Sequence, residues 1–277
     1  MTTPGLSGKI ALVTGAARGQ GRSHALRLAR EGADIIAIDV PGDIASVPYG
    51  MGTAADLAET VEGVEALDRR IVAVHADLRD EGAVQQAVDQ GLAAFGKIDI
   101  VCANAGILSY APCWELTSAQ WNDTIGTNLN GVWHTIKAAL PALMAGNGGN
   151  IVITSSMVGV KPGANALPYV AAKSALLGMT KALAIELGPK NIRVNAVAPT
   201  TVNTPMVTHQ TTYDLFRPDL TNPTLDDCVE SFAGLQALPI PWIETGDVSA
   251  AIAWLVSTEA RYVTGICLPV DGGASIK

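Results

Sequence analysis

The sequence predicts an α/β protein, a single doubly wound domain with a seven-stranded parallel sheet and helices on both faces. Three observations lead there. Seven short apolar runs recur along the 277 residues, and stretches of helical period separate them. The first run, Ile10 to Thr14, leads into a glycine-rich turn, a helical stretch and a second apolar run, which together make a βαβ unit. No repeat, low-complexity block or linker divides residues 1–277.

The bulk composition narrows the function. Hydrophobic residues make up 48% and charged residues 16%, enough for a sizeable core. A net charge of −8 argues against nucleic acid as a partner, because phosphate binding needs a basic face. No apolar run approaches the roughly eighteen residues of a membrane span. The start, MTTPGLSGK, lacks the apolar core of a signal peptide. Cys102, Cys113, Cys228 and Cys267 are scattered, so neither a metal site nor a disulfide framework is expected. Cys102 and Cys267 sit in apolar runs and read as core thiols. A reducing cytoplasm is the expected compartment.

In order, the first strand is Ile10–Thr14. The helix after it carries Ala25, Leu28, Ala29 and Gly32 on one face. The second strand is Asp34–Asp39. Residues 40–53 are polar and turn-rich and read as a surface insertion. A helix from Thr53 to Asp68 precedes the third strand, Ile71–Ala76, in which His75 reads as a packed core residue. Asp80–Phe95 reads as a helix and Ile98–Ala103 as the fourth strand. Thr117–Met144 reads as one long helix with Val132, Thr135, Ile136 and Ala139 inward, ended or kinked by Pro141. The fifth strand is Asn150–Thr154. A helix over Tyr169–Leu187 has Ala172, Ala175, Leu176 and Met179 on one face, and its small residues permit close packing on the sheet or on another subunit. The sixth strand is Arg193–Ala198. Residues 206–246 show little order but keep aromatic and aliphatic side chains, and read as a lid over an apolar substrate. A helix over Val248–Ser257 and a seventh strand over Ile266–Val270 finish the domain.

The candidate site residues cluster at strand ends. Gly15, Gly19 and Gly21 at a strand-to-helix turn let backbone N–H groups approach a pyrophosphate. A tight turn without ligand is the plainer alternative. Asp39 ends the second strand, where a carboxylate accepts from ribose hydroxyls and repels a 2′-phosphate. Val40 offers no compensating charge, and Arg18 in the loop is a possible phosphate contact, so NAD is favoured over NADP. Asp77 and Leu78 edge an adenine pocket, or Asp77 caps a short turn. Asn104, Ala105 and Gly106 bring the backbone near a ligand. Ser156 lies thirteen residues before Tyr169, and Tyr169 four before Lys173. On a helix that spacing puts Lys173 one turn beyond the phenol, where its charge would pull the tyrosine below about 10. Asn128 falls on the inward stripe of its helix, either as a structural amide or as a relay that holds a water near Lys173.

These motifs together resemble the short-chain dehydrogenase/reductases. They are Thr14-Gly15-Ala16-Ala17-Arg18-Gly19-Gln20-Gly21, Asn104-Ala105-Gly106, Asn128, Ser156 and Tyr169-Val170-Ala171-Ala172-Lys173, and the match spans nearly all of Lys9 to Gly273. The resemblance implies a single Rossmann domain that transfers hydride between a secondary alcohol and NAD. It assigns Asn128, Ser156, Tyr169 and Lys173 to catalysis, with Ser156 and Tyr169 on the substrate. Tyr169, Lys173, Gln20, Leu78, Ala105, Pro199, Val202 and Thr204 join the cofactor residues above. Assembly as a homotetramer is implied as well. GAARGQGRSHA, DIIAIDV, the insertion after Asp39 and APTTVNTPM resemble the actinobacterial carveol-dehydrogenase-like subgroup, described as mycofactocin-coupled. That implies a tightly held NAD, re-oxidised by the redox partner mycofactocin, and a small apolar alcohol or ketone such as a terpenoid as substrate. Two departures stand out: Gln20 where isoleucine or leucine is common, and Thr200 where glycine commonly follows Pro199. A ketoacyl-thioester reductase would prefer NADPH and a basic patch. A non-catalytic NAD sensor or scaffold would show a broken Ser-Tyr-Lys set, and this set is whole.

Overall fold

The computed structural model describes residues 5–40, 42–146 and 148–277. Its one sheet holds β1 (Ile10–Thr14), β2 (Asp34–Asp39), β3 (Ile71–His75), β4 (Ile100–Ala103), β5 (Gly149–Thr154), β6 (Ile192–Pro199) and β7 (Cys267–Val270). The spatial order is β3-β2-β1-β4-β5-β6-β7, and all pairs are parallel. The chain therefore leaves β1 toward one edge and returns to β4 on its other side. Strand order reverses between β1 and β4, which opens a crevice at their carboxyl ends.

Strand residues alternate between two cores, and for that reason the runs are apolar throughout. Leu12, Ile36, Ile38, Val101 and Ile151 face α3 (Glu81–Phe95), α5 (Gly131–Ala145) and α7 (Leu167–Leu187). Ala11, Val13, Ile35, Ala37 and Cys102 face α1 (Gly19–Arg30) and α10 (Thr245–Val256). Ala25, Leu28 and Ala29 are buried on α1, but Gly32 lies beyond the helix at φ +103° and closes the turn into β2. β3 and β7 are the sheet edges. His75 is accordingly exposed rather than packed, and Cys267 is only half-buried. On α7, Ala172 and Leu176 are buried, whereas Ala175 and Gly178 face outward.

α2 (Ala54–Glu65) starts at a Thr53–Asp56 capping box, and Asp80 caps α3. The single long helix expected over Thr117–Met144 is interrupted. α4 (Ser118–Ile125) passes through a π turn at Gly126–Asn130 before α5 begins. Such turns recur at functional sites. Here Gly131 lets the helix lie against the loop after β3: a Cβ on it would come within 2.7 Å of Leu78 Cβ. Pro141 does not end α5, which runs on to Ala145. α6 (Met157–Val160) is a single turn between β5 and α7. Residues 206–246 are more ordered than their sequence predicts, with α8 (Gln210–Phe216) and α9 (Leu225–Ala233). Phe232 is wholly buried and its ring packs edge-on to Phe216 at 4.7 Å, so the two short helices support each other.

Gly131→Ala tests the packing at the π turn. Alanine adds up to about 1 kcal/mol of helix propensity, but overpacking against a rigid Cβ costs about 1–3 kcal/mol. We expect a lower urea midpoint; an unchanged or higher one would contradict the packing.

Candidate active site

β1 and β4 are stitched together where the crevice opens. Thr14 Oγ1 accepts from the N–H groups of Asn104 and Ala105 at 3.0 and 3.1 Å, and Asn104 Nδ2 donates to Thr14 O at 3.0 Å. Gly15 and Gly19 both take positive φ, +68° and +55°, to turn the chain into α1. Gly21 packs so tightly that a Cβ would fall 1.9 Å from Gly15 O. The first turn of α1 has no capping side chain and no acidic residue, so its N–H groups are left for an anion.

A groove runs from there. Gly15, Arg18, Gly19, Gln20, Gly21, Asp39, Val40, Asp77, Leu78, Asn104, Ala105, Gly106 and Thr204 all line it. Asp39 is nearly buried and accepts from the N–H groups of Ala17 at 2.6 Å and Val40 at 2.7 Å. Burial raises its pKa, and those two donors oppose the rise. Asp77 is held by Arg79 in a double ion pair, which keeps it charged below the usual range against a burial effect of opposite sign. Its carboxylate stays partly exposed on the groove beside that ion pair.

The groove adjoins a larger cavity of about 510 Å³, lined by Ser156, Tyr169, Lys173, Pro199, Val202 and Thr204. Gln20, Asn104 and Gly106 belong to both walls. Ser156 follows β5 and caps α6, and Tyr169 and Lys173 lie one turn apart on α7. Ser156 and Tyr169 line the same cavity wall, and the serine side chain favours the ionised phenol. Lys173 Nζ donates to Thr154 O at 2.7 Å and stands 5.5 Å from the Tyr169 ring centre. The neighbouring Ser155 cannot compete with Ser156, because its hydroxyl is spent on Lys173 O at 2.8 Å.

The expected electrostatics are overturned in the protein alone. Burial pushes Tyr169 up to about 12, only partly opposed by Ser156, and lowers Lys173 to about 7. Desolvation of the charged forms is the leading cause of both shifts. Asn128 makes the contacts of a structural amide, one of its two expected roles. It is wholly buried on the π turn and lines neither the groove nor the cavity. Its Oδ1 accepts from Ile107 N and its Nδ2 donates to Ile107 O, both at 2.8 Å, so the side chain pins the loop after β4. It still approaches the lysine: a Cβ on Gly106 would lie 3.3 Å from Asn128 Oδ1 and 3.4 Å from Lys173 Nζ.

Tyr49 is one of several groove-lining residues that the sequence reading missed, with Ile44, Met51 and Thr127 among the others. It sits in the insertion after Asp39, and an aromatic in that polar stretch was the available signal. Its hydroxyl accepts from Leu108 N at 3.1 Å, and its ring packs 4.9 Å from that of His209, just before α8. The insertion therefore lies across the groove instead of projecting from the surface. Pro41 falls outside the described residues.

Comparison with known proteins agrees with this geometry. The family model described as short chain dehydrogenase matches residues 9–214. The (-)-trans-carveol dehydrogenase of Rhodococcus erythropolis is 48% identical over 98% of this chain and 99% of its own length. The crystal structure of carveol dehydrogenase from Mycobacterium avium in complex with NAD is similar at TM-score 0.96 and 50% identity, covering 98% of this chain and 99% of that one. A short chain dehydrogenase from Mycobacterium paratuberculosis bound to NAD reaches TM-score 0.89 at 40% identity, with 98% and 99% covered. With its glycine turn, its strand order and its Ser156–Tyr169–Lys173 group in place, the chain belongs to the short-chain dehydrogenase/reductase family.

Proposed function

We propose that the protein is an NAD-dependent dehydrogenase of an apolar secondary alcohol, cyclic or terpenoid and similar to carveol. The observation that carries this is the Ser156–Tyr169–Lys173 group, with Ser156 and Lys173 buried and Tyr169 half-buried, which opens into an apolar cavity continuous with the groove. The groove fits NAD. The uncapped start of α1 suits a pyrophosphate, Asp39 suits ribose hydroxyls, and Tyr169 and Lys173 stand at the far end. When bound, the nicotinamide supplies the hydride acceptor. Ser156 orients the substrate hydroxyl, and Tyr169 Oη takes its proton. Lys173 Nζ, already anchored on Thr154 O, stabilises the phenolate that this transfer needs. Asn128 supports the proton path by holding the Ile107 loop beside Lys173. Met206, Val207, Leu215, Phe216 and Leu235 from residues 206–246 wall the cavity, which favours a hydrocarbon body.

The insertion supports a tightly held cofactor, and hence re-oxidation by a partner such as mycofactocin. Ser46 donates to Asp123 at 2.7 Å, Arg18 donates to Gly50 O, and Tyr49 reaches Leu108 N. Residues 42–52 are thus fastened on both sides of the groove. Trp133 on α5 and Ile185 on α7 are exposed apolar residues consistent with a homotetramer. The four cysteines are free, as suits the reducing cytoplasm, and no helix of the described residues is long and apolar enough to cross a membrane.

Tyr169→Phe is expected to retain NAD and lose turnover with cyclic alcohols by about 100-fold or more; near-normal turnover of the folded variant would refute the mechanism. Tyr49→Ala is expected to speed NAD release about tenfold, measured by mass of the nicotinamide left on the protein after dialysis. Equal retention would remove the insertion from cofactor holding.

Lys173 generates a pH signature. Between about 7, its folded value, and the ordinary 10.5, the unfolded chain binds more protons than the folded one. Stability of the cofactor-free protein should therefore rise with pH from about 7 to 9, above which the buried Cys102 thiol, pushed up to about 12, opposes the rise. Lys173→Met should flatten the rise and raise the melting temperature at pH 7 while abolishing turnover. A variant with the parental pH dependence would show that the lysine is not the group responsible.

A further inference from the structure

The charged residues on the wall of the substrate cavity are all of one sign. The chain carries 26 acidic against 18 basic residues. Yet no aspartate or glutamate lines the cavity of about 510 Å³, whereas Lys161, Lys173 and Lys277 do. Lys173 is buried and held by Thr154 O. Lys161 and Lys277 are exposed while lining the cavity, so they stand at its mouth. Lys277 Nζ already donates to Gln236 O at 2.6 Å. Lys161 takes part in none of the ion pairs among the described residues. The distant net charge of −8 does not set the local sign, because exposed charges are screened beyond about 8 Å at physiological salt.

Lys161 is placed by the same elements that place the reacting groups. Ser156 is the N-cap of α6 and Lys161 its C-cap, where the Lys161 N–H donates to Met157 O at 2.8 Å. One helical turn separates the two, roughly 8 Å at 1.5 Å per residue. α6 in turn lies hard against α7. A Cβ on Gly159 would fall 2.7 Å from Lys173 O, and Ser174 Oγ donates to Gly159 O at 3.2 Å. Packed backbone therefore fixes the distance from Ser156 to the cation at the mouth. Met157 and Val158 line the cavity between them. A cavity within the usual range of about 300–1,000 Å³ takes a ligand of drug size. A single ring at Tyr169 thus leaves space toward Lys161.

We propose that Lys161 selects an anionic substituent, so that the substrate is an amphipathic secondary alcohol. Its hydroxyl meets Ser156 and Tyr169, and its hydrocarbon body lies along Met157, Val158, Leu215 and Phe216. A carboxylate at its far end pairs with Lys161 Nζ at the mouth. That pair stays partly in water, so neither ion bears the cost of full burial. The proposal rests on the reading that the hydroxyl is oxidised at the Ser156–Tyr169–Lys173 group, and it deepens that reading by naming the substrate class.

The test uses the full chain loaded with NAD and its Lys161→Met and Lys161→Glu variants. The probes are 4-hydroxycyclohexaneacetate, -butanoate and -hexanoate, each beside its primary carboxamide, which has nearly the same shape and no charge. The readout is the acid-to-amide ratio of kcat/KM. At one chain length or more, the parental protein should favour the acid about three- to fivefold, the scale of an exposed ion pair. The preference should lie in KM, and should shrink in 1 M salt, where screening acts within about 3 Å. Lys161→Met should bring the ratio to about one, and Lys161→Glu should push it below one, by the same exposed-pair scale. A parental ratio of one at every length, or a parental ratio retained in Lys161→Met, would overturn the assignment and leave the alcohol dehydrogenase standing. A parental protein that holds NAD but oxidises neither acids nor amides would overturn both.

Discussion

The burial of Lys173 is the constraint around which the site is arranged. An ammonium out of water is costly unless it is hydrogen-bonded, and here Thr154 O at the end of β5 meets it at 2.7 Å. That bond ties α7 to the carboxyl end of the sheet, and Ser155 adds a second tie through Lys173 O. Tyr169 and Ser156 are brought together as a consequence. The same burial moves the lysine down and the phenol up, so the protein alone favours neutral forms of both. At neutral pH only the lysine's shift counts against folding, because the unfolded chain keeps that group charged while the phenol is neutral in both states.

Around that pair, close backbone approach does most of the shaping. Gly21 presses on Gly15, Gly131 on Leu78, and Gly106 leaves room for both Asn128 and Lys173. The π turn at Gly126–Asn130 follows from the same demand. It aims Asn128 at the Ile107 backbone, which in turn sets the loop that carries Gly106. Rigid elements thus fix Ser156, Tyr169 and Lys173, whereas the two irregular segments line the groove and cavity beside them. Tyr49 of the insertion touches both Leu108 and His209, so the cover over the groove and the cover over the cavity share one contact.

Much of this was legible in the residues. Seven apolar runs became seven parallel strands because a sheet covered on both faces needs apolar side chains on both, which is a local property of each run. Gly15, Gly19 and Gly21 named their turn, and the spacing of Ser156, Tyr169 and Lys173 named their group, because those relations are set by short stretches of chain. Ser156 could be chosen over Ser155 from spacing, and the reason for the choice is Ser155's bond to Lys173 O.

What the sequence determined by itself was therefore the fold class, the glycine turn of the groove and the grouping of Ser156, Tyr169 and Lys173. The tertiary structure decided what depends on neighbours distant in the chain. His75 is exposed because β3 is an edge. Asn128 is a pin because Ile107 lies across from it. Asp77 is ion-paired with Arg79 at the groove's edge. The sign of the Tyr169 shift also belongs here. Helical spacing fixes how near a charge can stand, but only packing decides how much water is left, and at this site the loss of water outweighs the charge.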